Sequence, residues 1–385
     1  MSDSIKMSTA PLNSRDTKLA ANSPLSQAVI EFYTGFSTPS ALAFKFFILS
    51  FLLTASICFW FFTETTLAGQ FGRYLARSRL DAEGFVTHAA LRSAYEKPKH
   101  PRLFILGTSA IAQALASETA LVTQIEKASG QTWDVIILCT PLQSPIDQFA
   151  LLDRALESQT EDGPIAVVAL GIGVQRLRWT AARALSYAEK ARLGVQSDWA
   201  DKEVLALGGK PSPRSGIYIW DNIKLVAISG AEVLGRLALF HPAEQWVDQY
   251  AYKMPKQPIA VIRNTLGQEI RDGSKNQKNY IEQIRRLAGN VARRPHSQLV
   301  LIDEPLSRGL VESQSLETLQ HALVADFKKP SASQSMEYWP IIANARLTQA
   351  DFFDDLHVKR GSPQAKVQAS FVAELAKWIG TSRAK

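Results

Sequence analysis

The chain of 385 residues is long enough for one large domain with insertions, or for two domains, so core size does not limit it. Its formal net charge of +7 comes from scattered arginines and lysines, with local groups such as Arg73, Arg77, Arg79 and Arg285, Arg286, Arg293, Arg294. That distribution suits an anionic membrane surface or an acidic polymer, and without a zinc-finger, RNA-recognition or basic-heptad pattern nucleic acid is set aside.

The two cysteines, Cys58 and Cys139, sit in apolar runs, and the six histidines form no HxH or HExxH group. Neither a disulfide framework nor a metal centre is expected, and no cofactor.

Residues 1–40 are rich in Ser, Ala, Asn and Pro and read as a disordered cytoplasmic tail. Next comes FFILSFLLTASICFWFFT (46–63), without a charged residue and extendable back through Ala41. At 1.5 Å per residue such a run covers roughly 27 Å, close to the hydrocarbon thickness of a bilayer, so 41–63 is predicted to be a transmembrane helix. It starts too late and lacks the small-residue cleavage site of a signal peptide, and Ile57 before Cys58 argues against a lipoprotein. Positive charges flank the run on both sides, so orientation rests on the tail, which leaves residues 64–385 outside the cytoplasm.

Residues 64–100 are polar and helix-prone and read as a juxtamembrane connector ending in KPKHP. From 101 onward short apolar runs alternate with helical periodicity. RLFILG (102–107) reads as a strand, and AIAQALASETALVTQIEKASG as a helical face closed by Gly130. WDVIILCT (133–140) is a second strand, followed by a helix from Ile146 to Glu157, and IAVVALGIG (165–173) is a third strand. SQLVLIDEP (297–305) is a further strand and VQASFVAELAKWI (367–379) a closing helix. Continuous apolar strands alternating with helices imply an α/β fold with a parallel sheet covered on both faces. A mostly helical insertion at about 176–296 separates the third strand from the next. Within it 223–252 is amphipathic, either covering the sheet or forming a lid, membrane-facing or partner-facing element.

In such a sheet functional residues gather at the carboxyl ends of strands. Ser109, after Gly107 and Thr108, is either a helix cap or a nucleophile beside helix N–H groups. A nucleophilic serine needs a base and an orienting acid. ADFFDDLHVKRGS (350–362) offers His357 with Asp354 three residues before it, and Asp355 as the competing acid. Asp303 and Glu304 read as strand-end carboxylates, either loop residues or part of a site. Arg176 and Arg178 are either solvated or contacts for a substrate anion.

The block Gly107-Thr108-Ser109 near the first strand, with Asp354-Asp355-Leu356-His357 and Gly361 before the last helix, resembles the SGNH or GDSL-type hydrolases. The resemblance covers about 101–175 and 297–380. It implies a three-layer α/β/α domain over 101–385 in which Ser109 is the nucleophile, His357 the base and Asp354 the orienting acid. The family's second block normally carries a glycine, but the matching loop here is CTPLQSP (139–145). Its third block is Gly-x-Asn, matched by LGIGVQRL (170–177), with Gly171 in place and Gly173 where the asparagine would stand. Gly171, Gly173 and Gln143 are therefore the candidate oxyanion-binding residues, with Gln175 as a further substitute.

One anchor with a relaxed form of these blocks is similar to a membrane-anchored subgroup that works beside multi-span O-acyltransferases in alginate acetylation and teichoic acid D-alanylation. That likeness implies a single-pass protein of the bacterial inner membrane with its catalytic domain outside the cytoplasm. It also implies acyl transfer to, or deacylation of, a polysaccharide or surface polymer. The alternative is a catalytically inactive SGNH-fold scaffold of a polysaccharide synthesis or modification complex.

Overall fold

The computed structural model describes residues 41–69, 72, 82–115, 118–188, 193–223, 239, 259–307, 314–328 and 336–382. The chain divides into two compact units, 1–60 and 61–385. Ala41–Phe61, all but its last residue in the first unit, is a helix of 21 residues whose one charged residue is Lys45, with Phe46, Phe47 and Leu49 exposed. Among the described residues no helix is long and apolar enough to cross a membrane. The expected span over 41–63 is thus not shown, and the tail over 1–40 lies outside the described residues.

The second unit is built on five parallel strands: β1 (Arg102–Leu106), β2 (Asp134–Ile137), β3 (Ala166–Ile172), β4 (Ser297–Asp303) and β5 (Glu337–Trp339). Their order is β2-β1-β3-β4-β5. Leu103 stands level with Val135 on one side and Val167 on the other, Val168 with Leu299, and Leu301 with Tyr338. Every residue of β1 and β3 is buried, as a sheet covered on both faces requires.

The pleat divides the core in two. Phe104, Leu106, Val168, Leu170 and Leu301 face Val86, Phe149, Leu152, Ile284 and Leu287. Leu103, Ile105, Val167, Ala169 and Ile302 face Ile111, Leu121, Ile125, Val367 and Phe371. Helices Ala82–Tyr95, Pro145–Ala155 and Gln277–Ala292 thus cover one face, and Ser109–Leu115, Glu118–Ser129 and Ser362–Ser382 the other. Three α/β/α layers result.

The described residues of the segment expected to be a connector, 64–69, 72 and 82–100, are part of this body. Val86, Ala90 and Leu91 in its helix are fully buried, and Arg102 in β1 donates to the carbonyls of Ser93 and Glu96 at 3.0 and 2.7 Å. Its polar look comes from the outer face of one amphipathic helix. The described parts of 176–296 hold the helices Ala181–Ala188, Asp198–Ala206, Ile259–Gly273 and Gln277–Ala292, the last of which is the crossover helix that leads into β4. Residues 223–252 lie almost wholly outside the described set. β5 was not expected: three residues beginning with a glutamate carry no periodic signal.

The chain leaves β1 for β2 on one side and returns to β3 on the other. In an open parallel sheet the crevice forms at that reversal, at the carboxyl ends of β1 and β3.

Candidate active site

Ser109 stands at that crevice. β1 ends at Leu106, Gly107 and Thr108 make the turn, and Ser109 opens the helix Ser109–Leu115. The turn is tight. A Cβ on Gly107 would come within 2.8 Å of the Ile111 side chain, and one on Gly171 within 2.9 Å of the same residue. Both positions therefore need glycine for the helix to approach the sheet this closely. The helix's C-terminal carbonyls are taken by the last helix, Gln364 donating to Gln113 and Gln368 to Leu115 at 2.6 and 2.7 Å.

The Ser109 hydroxyl lies 3.0 Å from His357 Nε2, so its partner is an imidazole and not a backbone amide of its own helix. His357 Nδ1 lies 2.8 Å from Asp354 Oδ2. A carboxylate can only accept, so the shared hydrogen sits on Nδ1, and in the neutral ring Nε2 is left as the acceptor of the Ser109 O–H. Ser109 and His357 are both buried.

Local folding of 350–358 brings acid and base together. Phe352 and Val358 pair as an antiparallel bridge with both side chains in the core, and between them Phe353 N–H donates to His357 O at 2.8 Å. Inside this turn Asp354 Oδ1 accepts from the amides of Leu356 and His357 at 2.8 and 2.7 Å, leaving Oδ2 for the ring. Burial alone would push the Asp354 carboxyl up, but the bonds from the His357 ring and the two amides hold it below the usual carboxylate range. Asp355 points elsewhere. It accepts from the Ser307 hydroxyl, and its carbonyl takes the Ser307 amide at 2.8 Å, tying the loop to the segment after β4.

The side where an oxyanion would form is arranged differently from the expectation. Gln143 is fully buried, and its side-chain amide donates to Leu138 O at 2.5 Å. Gln175 donates to Glu304 at 2.5 Å. Each side-chain amide thus has one of its two N–H groups committed to an inward acceptor. Gly171 is a residue of β3 level with Ile302, and Gly173 precedes the 3-10 turn Val174–Arg178, its carbonyl accepting from Arg176 N at 2.9 Å.

The space beside these glycines is occupied by Glu304. A Cβ on Gly171 would come within 3.0 Å of its carboxylate, and one on Gly173 within 3.4 Å of its Cβ. Glu304 Oε1 accepts from the Thr108 amide at 3.3 Å and the Thr108 hydroxyl at 3.4 Å. Arg176 Nε lies 3.1 Å from the same oxygen, with side-chain exposures of 3% for Arg176 and 0% for Glu304. That distance is an ion pair's, but Nε is not aligned for a hydrogen bond, and Arg176 Nη2 has no acceptor among the described residues. Nη1 donates to Gln143 O at 2.6 Å. Asp303, the neighbouring strand-end carboxylate, accepts from the Ile342 and Ala343 amides at 2.9 and 3.0 Å; burial pushes it up to about 6 against the pull of those bonds. Arg178 pairs with Glu269 at 3.4 Å.

Thus the structure brings Ser109, His357 and Asp354 together and turns Gln143 away. The residues that sequence reasoning left undecided, Glu304 and Arg176, form the best-connected polar group beside the nucleophile. Their only signals were a carboxylate at a strand end and an arginine in a third block that lacks its asparagine. No group of His, Cys, Asp and Glu suited to a metal ion occurs among the described residues.

No protein-family model and no curated protein matches the chain. Among solved structures, the lipase/acylhydrolase from Enterococcus faecalis is similar with a TM-score of 0.28 and 11% identity over 72% of this chain and 96% of that one. The lipase Lip_vut3 from a goat rumen metagenome is similar with a TM-score of 0.30 and 10% identity over 70% of this chain and 96% of that one. Likeness at these values carries nothing about activity.

Proposed function

We propose that this protein is a serine-dependent carboxylic ester hydrolase or O-acyltransferase. Ser109 attacks the ester carbonyl, His357 Nε2 takes the hydroxyl proton and returns it to the leaving oxygen, and Asp354 holds the ring tautomer. The alcohol leaves, an acyl-Ser109 ester forms, and water or a second hydroxyl, giving its proton to His357 Nε2, resolves it and frees Ser109. The observation that carries this reading is the continuous chain from Ser109 Oγ through His357 to Asp354, at 3.0 and 2.8 Å. In the finer form of the proposal the acceptor is an extracytoplasmic polysaccharide or surface polymer. The helix beginning at Ala41 anchors the protein in the inner membrane, beside a multi-span acyltransferase that supplies the acyl group. Supporting this are the apolar, exposed helix and the net charge of +7, which suits an anionic polymer.

The test is labelling of the full-length chain with a fluorophosphonate probe. Labelling is expected on Ser109 and is expected to vanish in Ser109→Ala and His357→Ala. A wild-type chain that is folded and unlabelled would overturn the enzyme reading.

One observation favours a second reading, a non-catalytic scaffold: both glutamines that could have replaced the missing oxyanion donors are bound inward. If Ser109→Ala leaves polymer modification intact while deletion of 1–63 abolishes it, the scaffold reading replaces the first.

A further inference from the structure

The Glu304–Arg176 pair joins all four strand ends around the crevice. Through Glu304 Oε1 it holds the Thr108 amide at the end of β1, at 3.3 Å. Through Arg176 Nη1 it holds the Gln143 carbonyl in the loop after β2, at 2.6 Å. Gln175 and Arg176 themselves follow β3, and Glu304 follows β4, with its amide on Ile172 O at 2.8 Å. These are the loops that would have to supply oxyanion donors, and neither the Gly of a second block nor the Asn of a third is present in them.

A buried carboxylate with 0% side-chain exposure is a costly object to place beside a reaction that develops negative charge. Surface packing cannot account for it, because the three glycines at 107, 171 and 173 leave the room it occupies. Its one feature directed at the reacting centre is the grip on Thr108, whose peptide precedes the nucleophile. On its other side the Thr108 carbonyl accepts from the Ile111 and Ala112 amides at 3.1 and 3.2 Å, so with Glu304 on its N–H and hydroxyl Thr108 is held on both sides, and this sets the direction of the next N–H, that of Ser109, which has no acceptor among the hydrogen bonds of the described residues.

We propose that Glu304 is a positioning residue that clamps the Thr108 peptide so that the Ser109 hydroxyl and N–H are both presented to the acyl carbonyl. Arg176 serves as the buried counter-charge of that carboxylate. This rests on Ser109 being the nucleophile. The pair acts on the rate of acylation and not on the affinity for the acyl donor, because neither residue is exposed to it.

The experiment uses the full-length chain and reads two quantities in wild type, Glu304→Asp, Glu304→Gln and the charge-free double variant Glu304→Gln/Arg176→Met. The first is the fluorophosphonate labelling rate as a function of probe concentration. The second is hydrogen exchange in a peptide covering 106–110, with circular dichroism melting to establish folding. Glu304→Asp keeps the charge but is too short to reach Thr108, and the double variant is included because Glu304→Gln strands a buried arginine. The expected result is a maximal labelling rate lower by about 10- to 100-fold in the folded variants, with half-saturation unchanged and faster exchange at 106–110. Folded variants that label at the wild-type maximal rate would overturn the proposal, as would a loss carried entirely by half-saturation. If wild type itself does not label, the enzyme reading fails separately, and exchange that is indifferent to Glu304 overturns the clamp on its own.

Discussion

Two adjacent aspartates, Asp354 and Asp355, differ by one position in the chain and by everything in their surroundings. The first receives the His357 ring, the second the Ser307 hydroxyl. Asp354→Asn is therefore expected to lower the labelling rate of Ser109 by about 10²–10⁴-fold, since an amide can present its N–H₂ to Nδ1 and reverse the tautomer. Asp355→Asn is expected to lower thermal stability with a much smaller effect on labelling rate, and the two variants side by side decide the assignment. The pH dependence follows from the lowered Asp354 value. A carboxyl whose folded-state pKa lies below its ordinary 3.8 stabilises the fold fully above that value and loses the contribution as pH falls through the lower one. The gap in urea midpoint between wild type and Asp354→Asn should hold constant above pH 3.8 and close only below it.

At the scale of elements, the nucleophile's helix is short and depends on its neighbours. Ser109–Leu115 has only seven residues, too few to be stable alone, so the close seat on Gly107 and Gly171 and the clamp from the last helix hold it in place. Gly171→Ala would drive a methyl to within 3.0 Å of both Ile111 and Glu304. It should cost about 1–3 kcal/mol in urea unfolding. Gln368→Ala would strip the Leu115 carbonyl of its donor at the far end of the same helix. Its expected cost is of similar size, about 1–3 kcal/mol, because the carbonyl stays buried. The two lesions act at opposite ends of one element.

At the scale of the whole molecule, the chain couples an α/β/α body to an N-terminal helix whose one charged residue is Lys45. A helix of that character has no polar face to give to water. If it anchors the protein, the full-length chain will sediment with membranes and resist alkaline carbonate extraction, and a chain lacking 1–63 will be released. A full-length chain extracted by carbonate would remove the anchor from the proposal.

Much of this was legible in the sequence because the signals are local. Runs such as RLFILG and IAVVALGIG announce buried parallel strands through continuous hydrophobicity, and the order of strands and helices specifies the fold class. Asp354 and His357 could be paired from a three-residue spacing, because a single turn holds both. The sequence alone thus determined the layers, the seat of Ser109 and its acid-base partners. It favoured Asp354 over Asp355 by spacing alone, without the Ser307 bond that occupies Asp355, and it did not reveal that Gln143 and Gln175 are bound inward. It also hid the Glu304–Arg176 pair, whose members stand 128 positions apart, at 176 and 304. Which acceptor a buried amide finds, and which charges meet across strand ends, depends on the register of β1, β3 and β4. Only the tertiary structure sets that register, because desolvated polar groups take their partners from whatever the packing brings within 3 Å or so.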